Sequence, residues 1–229
     1  MRKHLFKVLL SVFSFLLLLY PLQELNAATS SATVKTNTYK GQPIIQITQP
    51  NNSKSKAINS ILKNFAVSAA MQDLEAKQEN SEYWYRTTTK LMYNKNNKLS
   101  VSNETSYYSG GAHDQYWTDT YNFDTTTGKR IFLKDILNSQ TKIDRAKGYI
   151  SYVLFYKLIK GTASIFENNI YDFPLDTLKA PFYLRDSGIT IRFNPYEVGP
   201  FSEGIIDVTI PYSIINGQTP VPEIPVDTD

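Results

Sequence analysis

Two stretches of the chain carry hydrophobic residues at helical spacing. In the first, over 58–69, apolar residues recur every three or four positions. Asn52 or Ser53 can cap the start of this helix, because their short side chains accept the first free backbone N–H groups. The second stretch, over about 141–160, has the same period. Both are predicted to be amphipathic helices whose apolar faces pack on a core.

Elsewhere the period is two, which is typical of strands. The longest alternation begins at Glu82 and continues through three segments separated by short polar turns, which predicts an antiparallel meander. A strand end and a helical turn are predicted over 131–137. The predicted meander strands are 83–93, 99–108 and 116–124, and shorter strands are predicted at 43–48, 182–184, 189–193 and 205–210, with a hairpin turn at 186–188.

Four segments have no clear period and are predicted to be irregular. Residues 28–38 are small and polar, which favours a flexible lead-in. The stretches 161–180 and 194–204 are interrupted by Pro, Asn and Gly and are predicted to be loops. From Pro211 onward the chain is rich in Pro and acidic at its end, which indicates an extended tail.

The order of elements predicts an α+β fold: strand, helix, three strands, then helix and three strands. Each of two halves would form a mostly antiparallel sheet with one long helix packed on it. We place the boundary near residue 125. The predicted units are therefore an α+β domain over 28–125, a second α+β domain over 126–213 and a Pro-rich tail over 214–229.

The first 27 residues have the pattern of a secretory signal peptide. Three basic residues precede an apolar run over 8–20, and Leu25-Asn26-Ala27 offers a small-residue cleavage site. The run is short for a transmembrane span. We therefore expect cleavage after Ala27 or one residue later and a secreted mature chain. An uncleaved signal anchor is the alternative, and only then would we expect the protein at a membrane.

The amino-acid composition excludes several kinds of functional site. The absence of cysteine excludes disulfides, thiolate metal sites and cysteine nucleophiles, and a large secreted chain without cysteine suits a Gram-positive cell envelope. One of the two histidines, His4, lies in the leader, which excludes a multi-histidine metal site within one chain. Without residues 1–27 the chain has 21 basic and 20 acidic residues. We therefore expect no cofactor, no metal and no nucleic acid partner.

Two motifs carry a family resemblance. The first is Tyr-Tyr-Ser-Gly-Gly-Ala-His over 107–113, followed by Tyr-Asn-Phe-Asp over 121–124. The second is Asn-Pro-Tyr-Glu-Val-Gly-Pro-Phe over 194–201, followed by Val-Thr-Ile-Pro-Tyr over 208–212. Together they resemble the paired extracellular domains of RsiV-type lysozyme-sensing anti-sigma-V factors and the non-catalytic N-terminal region of PdaC-type peptidoglycan deacetylases. The resemblance covers most of 33–213.

The resemblance implies an extracellular binding region, which in the lysozyme sensors contacts lysozyme through a Pro- and Tyr-rich loop. The matching positions are Pro195, Tyr196, Pro200 and Phe201. Only seven residues precede the apolar run, which leaves no sigma-binding segment, and the chain ends in a short tail without a histidine-containing catalytic domain. We therefore expect a free-standing ectodomain without sigma inhibition or deacetylase activity.

The residues themselves favour the same loop as a binding surface. Two prolines restrict its backbone, which lowers the entropy lost on binding, and its two aromatic side chains are of the kind that anchors interfaces. Glu197 is expected to hold the loop by accepting backbone N–H groups. The loop over 107–117 would contribute if the two loops are adjacent in space. The candidate binding residues are Asn194, Pro195, Tyr196, Glu197, Pro200 and Phe201 in one loop and Tyr108, His113, Tyr116 and Trp117 in the other.

The resulting hypothesis is a secreted, non-enzymatic module that binds a lysozyme-like hydrolase or peptidoglycan at the cell envelope, with no catalytic residue assigned. One alternative is a hydrolase or transferase with His113 as base, which needs a hydroxyl or carboxylate within hydrogen-bonding reach. Paired carboxylates among Glu197, Glu203 and Asp207 could cleave a sugar bond, although their spacing fixes no distance. A structural exoprotein without a specific ligand is the other alternative, which buried Tyr196 and Phe201 side chains would favour.

Overall fold

The computed structural model describes residues 31–224. The predicted signal peptide over 1–27 and the end of the predicted tail lie outside the described residues. The fold is α+β, as the sequence predicts, with three antiparallel sheets and two long helices. Both helices and all three long meander strands form where the hydrophobic period places them.

In the first half, β1 and β2 form a hairpin, α1 follows, and β3 to β6 form a four-stranded sheet in sequence order. The prediction of a flexible lead-in over 28–38 is wrong from residue 33 onward, where β1 forms, and its first three residues lie outside the described part of the chain. The small polar residues of β1 carry no hydrophobic signal, and its structure comes from the backbone ladder with β2. The bounds are β1 (Thr33–Tyr39), β2 (Gln42–Gln49), α1 (Ser53–Glu79), β3 (Trp84–Lys95), β4 (Lys98–Tyr108), β5 (Gln115–Asp124) and β6 (Arg130–Ile131).

In the second half, a long helix packs on a three-stranded sheet. The prediction of an extended tail from Pro211 is wrong at its beginning, because α4 forms there and buries Ile214 and Ile215 in the core. The bounds are α2 (Leu133–Ile136), α3 (Gln140–Ile159), a 3₁₀ turn (Glu167–Ile170), β7 (Phe182–Leu184), β8 (Gly188–Phe193), a second 3₁₀ turn (Phe201–Glu203), β9 (Ile206–Pro211) and α4 (Tyr212–Ile215).

Helix α1 begins where the sequence predicts. The Asn52 side chain accepts hydrogen bonds from the backbone N–H groups of Lys54 and Ser55, at 2.9 and 3.1 Å. Ser55 in turn accepts the N–H of Asn52 at 2.9 Å, which completes a capping box. Two of the orphan N–H groups of the first turn are satisfied in this way.

The four-stranded sheet is the central layer of the molecule, and its two faces differ in chemistry. One face packs Leu99, Val101 and Phe123 against α1. The other face buries polar side chains, which bond to the first strand of the second half. The Ser100 hydroxyl accepts the Leu184 N–H at 3.1 Å, the Asn122 amide donates to the Phe182 carbonyl at 2.8 Å, and the Thr120 hydroxyl accepts the Phe182 N–H at 2.8 Å.

The two halves thus contact each other through side chains. Within the described residues, β3 to β6 and β7 to β9 form separate sheets that share no backbone ladder. One hydrophobic cluster lies around α1 and the other around α3. The β6 strand, just past residue 125, pairs with β5 of the first half. Each half therefore has its own apolar core, and their contact positions the loops described next.

Candidate functional site

The two predicted loops lie against each other. The His113 imidazole stacks on the Phe201 ring, with ring centroids 4.4 Å apart and planes 29° apart. Tyr116 meets the same ring edge-on at 5.0 Å, and Tyr196 lies 5.9 Å from it. We call these four residues, His113, Tyr116, Tyr196 and Phe201, the aromatic cluster. The loop over 107–117 was expected to contribute to the surface if the two loops are adjacent, and they are adjacent.

The segment over 107–117 contains the end of β4, the connecting loop 109–114 and the start of β5. Gly110 and Gly111 both have positive φ, 93° and 110°, which lets the chain turn sharply there. The Tyr108 hydroxyl donates to the Gly111 carbonyl at 3.1 Å. The His113 Nδ1 lies 2.7 Å from the Asp114 carbonyl oxygen, so an Nδ1–H tautomer donates to it and orients the ring.

The loop over 194–204 is closed by its own hydrogen bonds. The Glu197 carboxylate accepts the Asn194 N–H at 2.7 Å, which is the role predicted for Glu197. The Glu197 N–H donates to the Asn194 carbonyl and the Tyr196 N–H to the Gly199 carbonyl, both at 3.0 Å. Val198 is fully buried, and its carbonyl accepts the Phe166 N–H. The turn is therefore fixed to the core on its inner side.

Tyr196 at the outer side of this turn is exposed and conformationally strained. Its side chain is 58% exposed, and its φ is +70°, a left-handed conformation that disfavours residues with a Cβ. Such a residue costs of order 1–3 kcal/mol, and strain of this kind is concentrated at functional sites. Phe201 is only partly buried. The loop is not collapsed onto the interior, so the buried-ring arrangement that would favour a purely structural protein is absent here.

Several acidic residues lie near the aromatic cluster. Burial raises the pKa of Tyr116, and the negative charges of Glu104 and Asp114 raise it further. Glu203 shares the short turn with Phe201, and hydrogen bonds with Ser164 lower its pKa. Burial raises the pKa of Glu197, against the effect of its hydrogen bonds with Asn194. Glu104, Asp114 and Glu203 thus lie near the cluster, and Glu104 also forms an ion pair with Lys90 at 3.8 Å.

The remaining candidates divide between the two faces of the sheet. Tyr108 lies on the same face as Tyr116 and stacks on Trp84, with centroids 6.5 Å apart. Trp117 lies on the opposite face, because neighbouring residues of a strand alternate, and it packs edge-on against Tyr85 and Tyr107. Trp117 is therefore not part of the aromatic cluster. Pro195 and Pro200 are half-buried and frame the turn around Tyr196.

Sequence reasoning missed the residues that attach the loop to the rest of the molecule. The Asn194 Oδ1 accepts the Thr118 N–H at 2.7 Å, which ties the loop to β5. The Asn169 amide donates to the Glu197 carbonyl at 2.8 Å. Neither Thr118 nor Asn169 belongs to a recognisable motif, so only their spatial position reveals this role.

The aromatic cluster and its surroundings provide area for contact with a partner more than side chains positioned for a reaction. In the described part of the chain, the hydrogen bond of the His113 ring is to a backbone oxygen. Asp207 accepts a hydrogen bond from Arg192 Nε at 2.9 Å, and Glu197 is engaged by the Asn194 N–H. Over 31–224, no three His, Asp or Glu side chains are grouped so that they could hold a metal ion. Over the same range, no helix has the length and hydropathy of a membrane span.

The architecture is that of a two-part α+β protein with an aromatic surface at the contact of its halves, and known proteins share parts of it. Residues 131–213 match the family model described as "Protein of unknown function (DUF3298)". A comparison with curated proteins finds no match. Two crystal structures of DUF3298 family members are similar in fold. The Pseudomonas aeruginosa protein is 13% identical, with a TM-score of 0.60 over 82% of this chain and 94% of its own. The Bacteroides fragilis protein is 17% identical, with a TM-score of 0.50 over 82% of this chain and 91% of its own.

Proposed function

We propose that this protein is a secreted, non-enzymatic binding module of the bacterial cell envelope, and that it binds a lysozyme-like wall hydrolase through the aromatic cluster. The observation that carries the proposal is Tyr196. Its ring is exposed on a rigid turn whose backbone would be easier to form with glycine. A costly conformation that displays a large ring to solvent supports a contact role for that ring.

The family resemblance supports the same surface. The motif over 194–201, which resembles the lysozyme-contacting loop of RsiV-type sensors, lies inside the DUF3298 match at 131–213. The other motif, over 107–113, supplies His113, which stacks on Phe201. The two motifs that carry the resemblance to RsiV- and PdaC-type ectodomains thus contribute to one surface.

Charge supports a basic partner. The segment 161–224 contains eight acidic and three basic residues, and Glu104, Asp114 and Glu203 lie near the aromatic cluster. An excess of acidic residues near aromatic anchors favours a partner with a positive surface, because complementary charges increase the association rate. We therefore favour a cationic hydrolase over an anionic one.

The proposed mechanism is rigid docking. The turn around Tyr196 is held by hydrogen bonds to Glu197 and Gly199, so little backbone entropy is lost when a partner covers it. If the turn enters the substrate cleft of the hydrolase, the module acts as a competitive inhibitor. If it docks outside the cleft, the hydrolase stays active in the complex.

The test is calorimetry of the chain over 28–229 with purified lysozyme. We expect binding that Tyr196→Ala and Phe201→Ala each weaken at least tenfold, since anchor rings contribute a few kcal/mol. Tyr171→Ala is the matched control, because Tyr171 is a 70% exposed tyrosine outside the cluster. Absence of binding heat at micromolar concentrations, or equal weakening by the control, would contradict the proposal.

Peptidoglycan is the second candidate ligand, and one observation favours it. Trp84 and Tyr108 stack on the same sheet face as Tyr116, and both are partly exposed. Stacked aromatic faces can pack against the C–H groups of sugar rings. Cosedimentation with insoluble peptidoglycan separates the candidates: Trp84→Ala should reduce cosedimentation if the glycan is the ligand and leave lysozyme affinity within twofold.

A further inference from the structure

The N-terminal hairpin and the first half of α1 carry charge of one sign. Between residues 31 and 72 the chain has five lysines and neither Asp nor Glu. The near-neutral net charge of residues 28–229 hides this separation of basic from acidic segments, because the acidic excess lies over 161–224. Lys54 and Lys56 even lie in the first turn of α1, where the helix dipole favours acidic side chains.

Two adjoining clefts cross this basic surface between the hairpin and α1. The first has a volume of about 480 Å³ and the second about 470 Å³. They share Gln46 and Asn59 as lining residues, so they form one groove. Lys63 lines the first cleft, and Lys35 and Lys56 line the second. Each cleft falls within the size range of ligand sites in proteins.

The groove combines positive charge with neutral hydrogen-bonding groups. Within the described part of the chain, none of its three lining lysines forms a salt bridge. Asn37 donates to the Gln46 side-chain oxygen at 2.6 Å, and this bond leaves the Asn37 oxygen and the Gln46 amide N–H groups for a ligand. The first cleft also contains the Ser60 hydroxyl.

We propose that this groove binds a phosphodiester-linked polyol polymer, the chemistry of wall and membrane teichoic acids. Lysine ammonium groups bind phosphate as point charges, and the amides and the hydroxyl suit polyol hydroxyl groups. The lysines are spread along both clefts, so a repeating anion engages more of them than a single phosphate. The groove is separate from the aromatic cluster, and the proposal does not depend on the hydrolase.

The experiment is calorimetry of the chain over 28–229 with delipidated poly(glycerol phosphate). We expect binding at 50 mM NaCl that weakens at least tenfold at 300 mM, because each neutralised phosphate releases a counterion. The Lys56→Ala/Lys63→Ala variant should bind at least tenfold more weakly. The control Lys147→Ala/Lys160→Ala removes the same charge from exposed positions on and next to α3 and should change affinity less than twofold.

Three further probes decide what the groove recognises. Neutral dextran should not bind, and a single-stranded DNA oligonucleotide should bind more weakly than poly(glycerol phosphate). Phosphatidylglycerol vesicles offer the same phosphate on a lipid surface. The proposal would be overturned by tighter binding to DNA than to the polymer, or by binding to vesicles without binding to the soluble polymer. It would also be overturned if no polymer binding is seen up to 1 mM, or if both lysine pairs lose affinity equally. Circular dichroism melts check that every variant is folded. Gln46→Ala should also reduce the affinity for the polymer, without any change in the charge of the groove.

Discussion

The side chain of Asn194 bonds to the backbone of Thr118 as a neighbouring strand would. Its Oδ1 accepts the Thr118 N–H at 2.7 Å, and its Nδ2 lies 3.5 Å from the Thr118 carbonyl. Thr118 belongs to β5 in the first half, whereas Asn194 follows β8 in the second. One amide therefore holds the aromatic loop of one half against the sheet of the other.

Replacement of Asn194 by alanine should destabilise the protein and loosen this contact. The Thr118 N–H would lose its partner in a buried position, which costs about 1–3 kcal/mol. Urea unfolding measures the change in free energy, with Asn168→Ala at an exposed position as the control. A loss below about 0.5 kcal/mol, the range of ordinary surface substitutions, would show that the amide does not join the halves.

Tyr196→Gly should be more stable than Tyr196→Ala. The turn has φ +70° at this position, and glycine adopts that conformation without the cost that a Cβ brings, about 1–2 kcal/mol. Both variants lack the exposed ring, so both should lose lysozyme affinity alike. Thermal and urea unfolding of the two variants measure the difference. If the alanine variant is the more stable of the two, the strain attributed to Tyr196 is absent.

Glu197 should make stability fall as the pH rises. Burial raises its folded-state pKa above the usual value of 4.5, so the folded protein holds this proton at pH values where the unfolded chain has released it. Its contribution is therefore fully present below pH 4.5 and is lost as the pH rises through the folded-state pKa. Urea unfolding between pH 4 and pH 7 measures this dependence.

Glu197→Gln isolates that effect. Glutamine keeps an oxygen that accepts the Asn194 N–H and has no ionisation, so the variant should lack the Glu197 part of the pH dependence. At pH 7 it should be at least as stable as the parent protein. Glu197→Ala, which removes the acceptor, should be less stable at both pH values. A glutamine variant with an unchanged pH profile would contradict the assignment.

Gln42→Ala should be among the more damaging substitutions in the hairpin. The Gln42 side chain is buried, donates to the Tyr85 carbonyl at 3.2 Å and accepts the Thr87 N–H at 3.0 Å. The Gln42 side chain thereby pairs with backbone groups of β3, the edge strand of the central sheet. Its removal leaves these buried backbone groups without hydrogen-bond partners, which costs about 1–3 kcal/mol for each group. Gln49→Ala, at an exposed position of the same strand, is the control in urea unfolding. Equal effects of the two substitutions would refute this role.

Some of the candidate site could be predicted from the sequence. The motif over 194–201 combines two prolines with two aromatic residues, and this local pattern indicated Tyr196 and Phe201 as candidate anchors; in the structure Tyr196 is exposed, Phe201 is partly buried, and their ring centroids lie 5.9 Å apart. Tyr116 and Trp117 were both candidates for one surface, although neighbouring residues of a strand face opposite sides. Only the tertiary structure shows which of the two faces meets Phe201.

The basic groove illustrates the same limit. Five lysines without an acidic neighbour are visible between residues 31 and 72, but a charge count along a chain does not tell whether the side chains share a surface. The prediction of a flexible segment over 28–38 concealed the hairpin that forms one wall of the groove. Strand pairing with β2 decides the structure of that segment.

The sequence by itself determined the elements whose information is local. Hydrophobic period, capping residues and turn residues specified α1, α3, the meander and the α+β class, because these depend on residues a few positions apart. Tertiary structure alone decided β1, α4, the polar contact between the halves and the meeting of His113 with Phe201. Each of these depends on hydrogen bonds or packing between residues distant in the chain, and such pairings leave no period in the sequence.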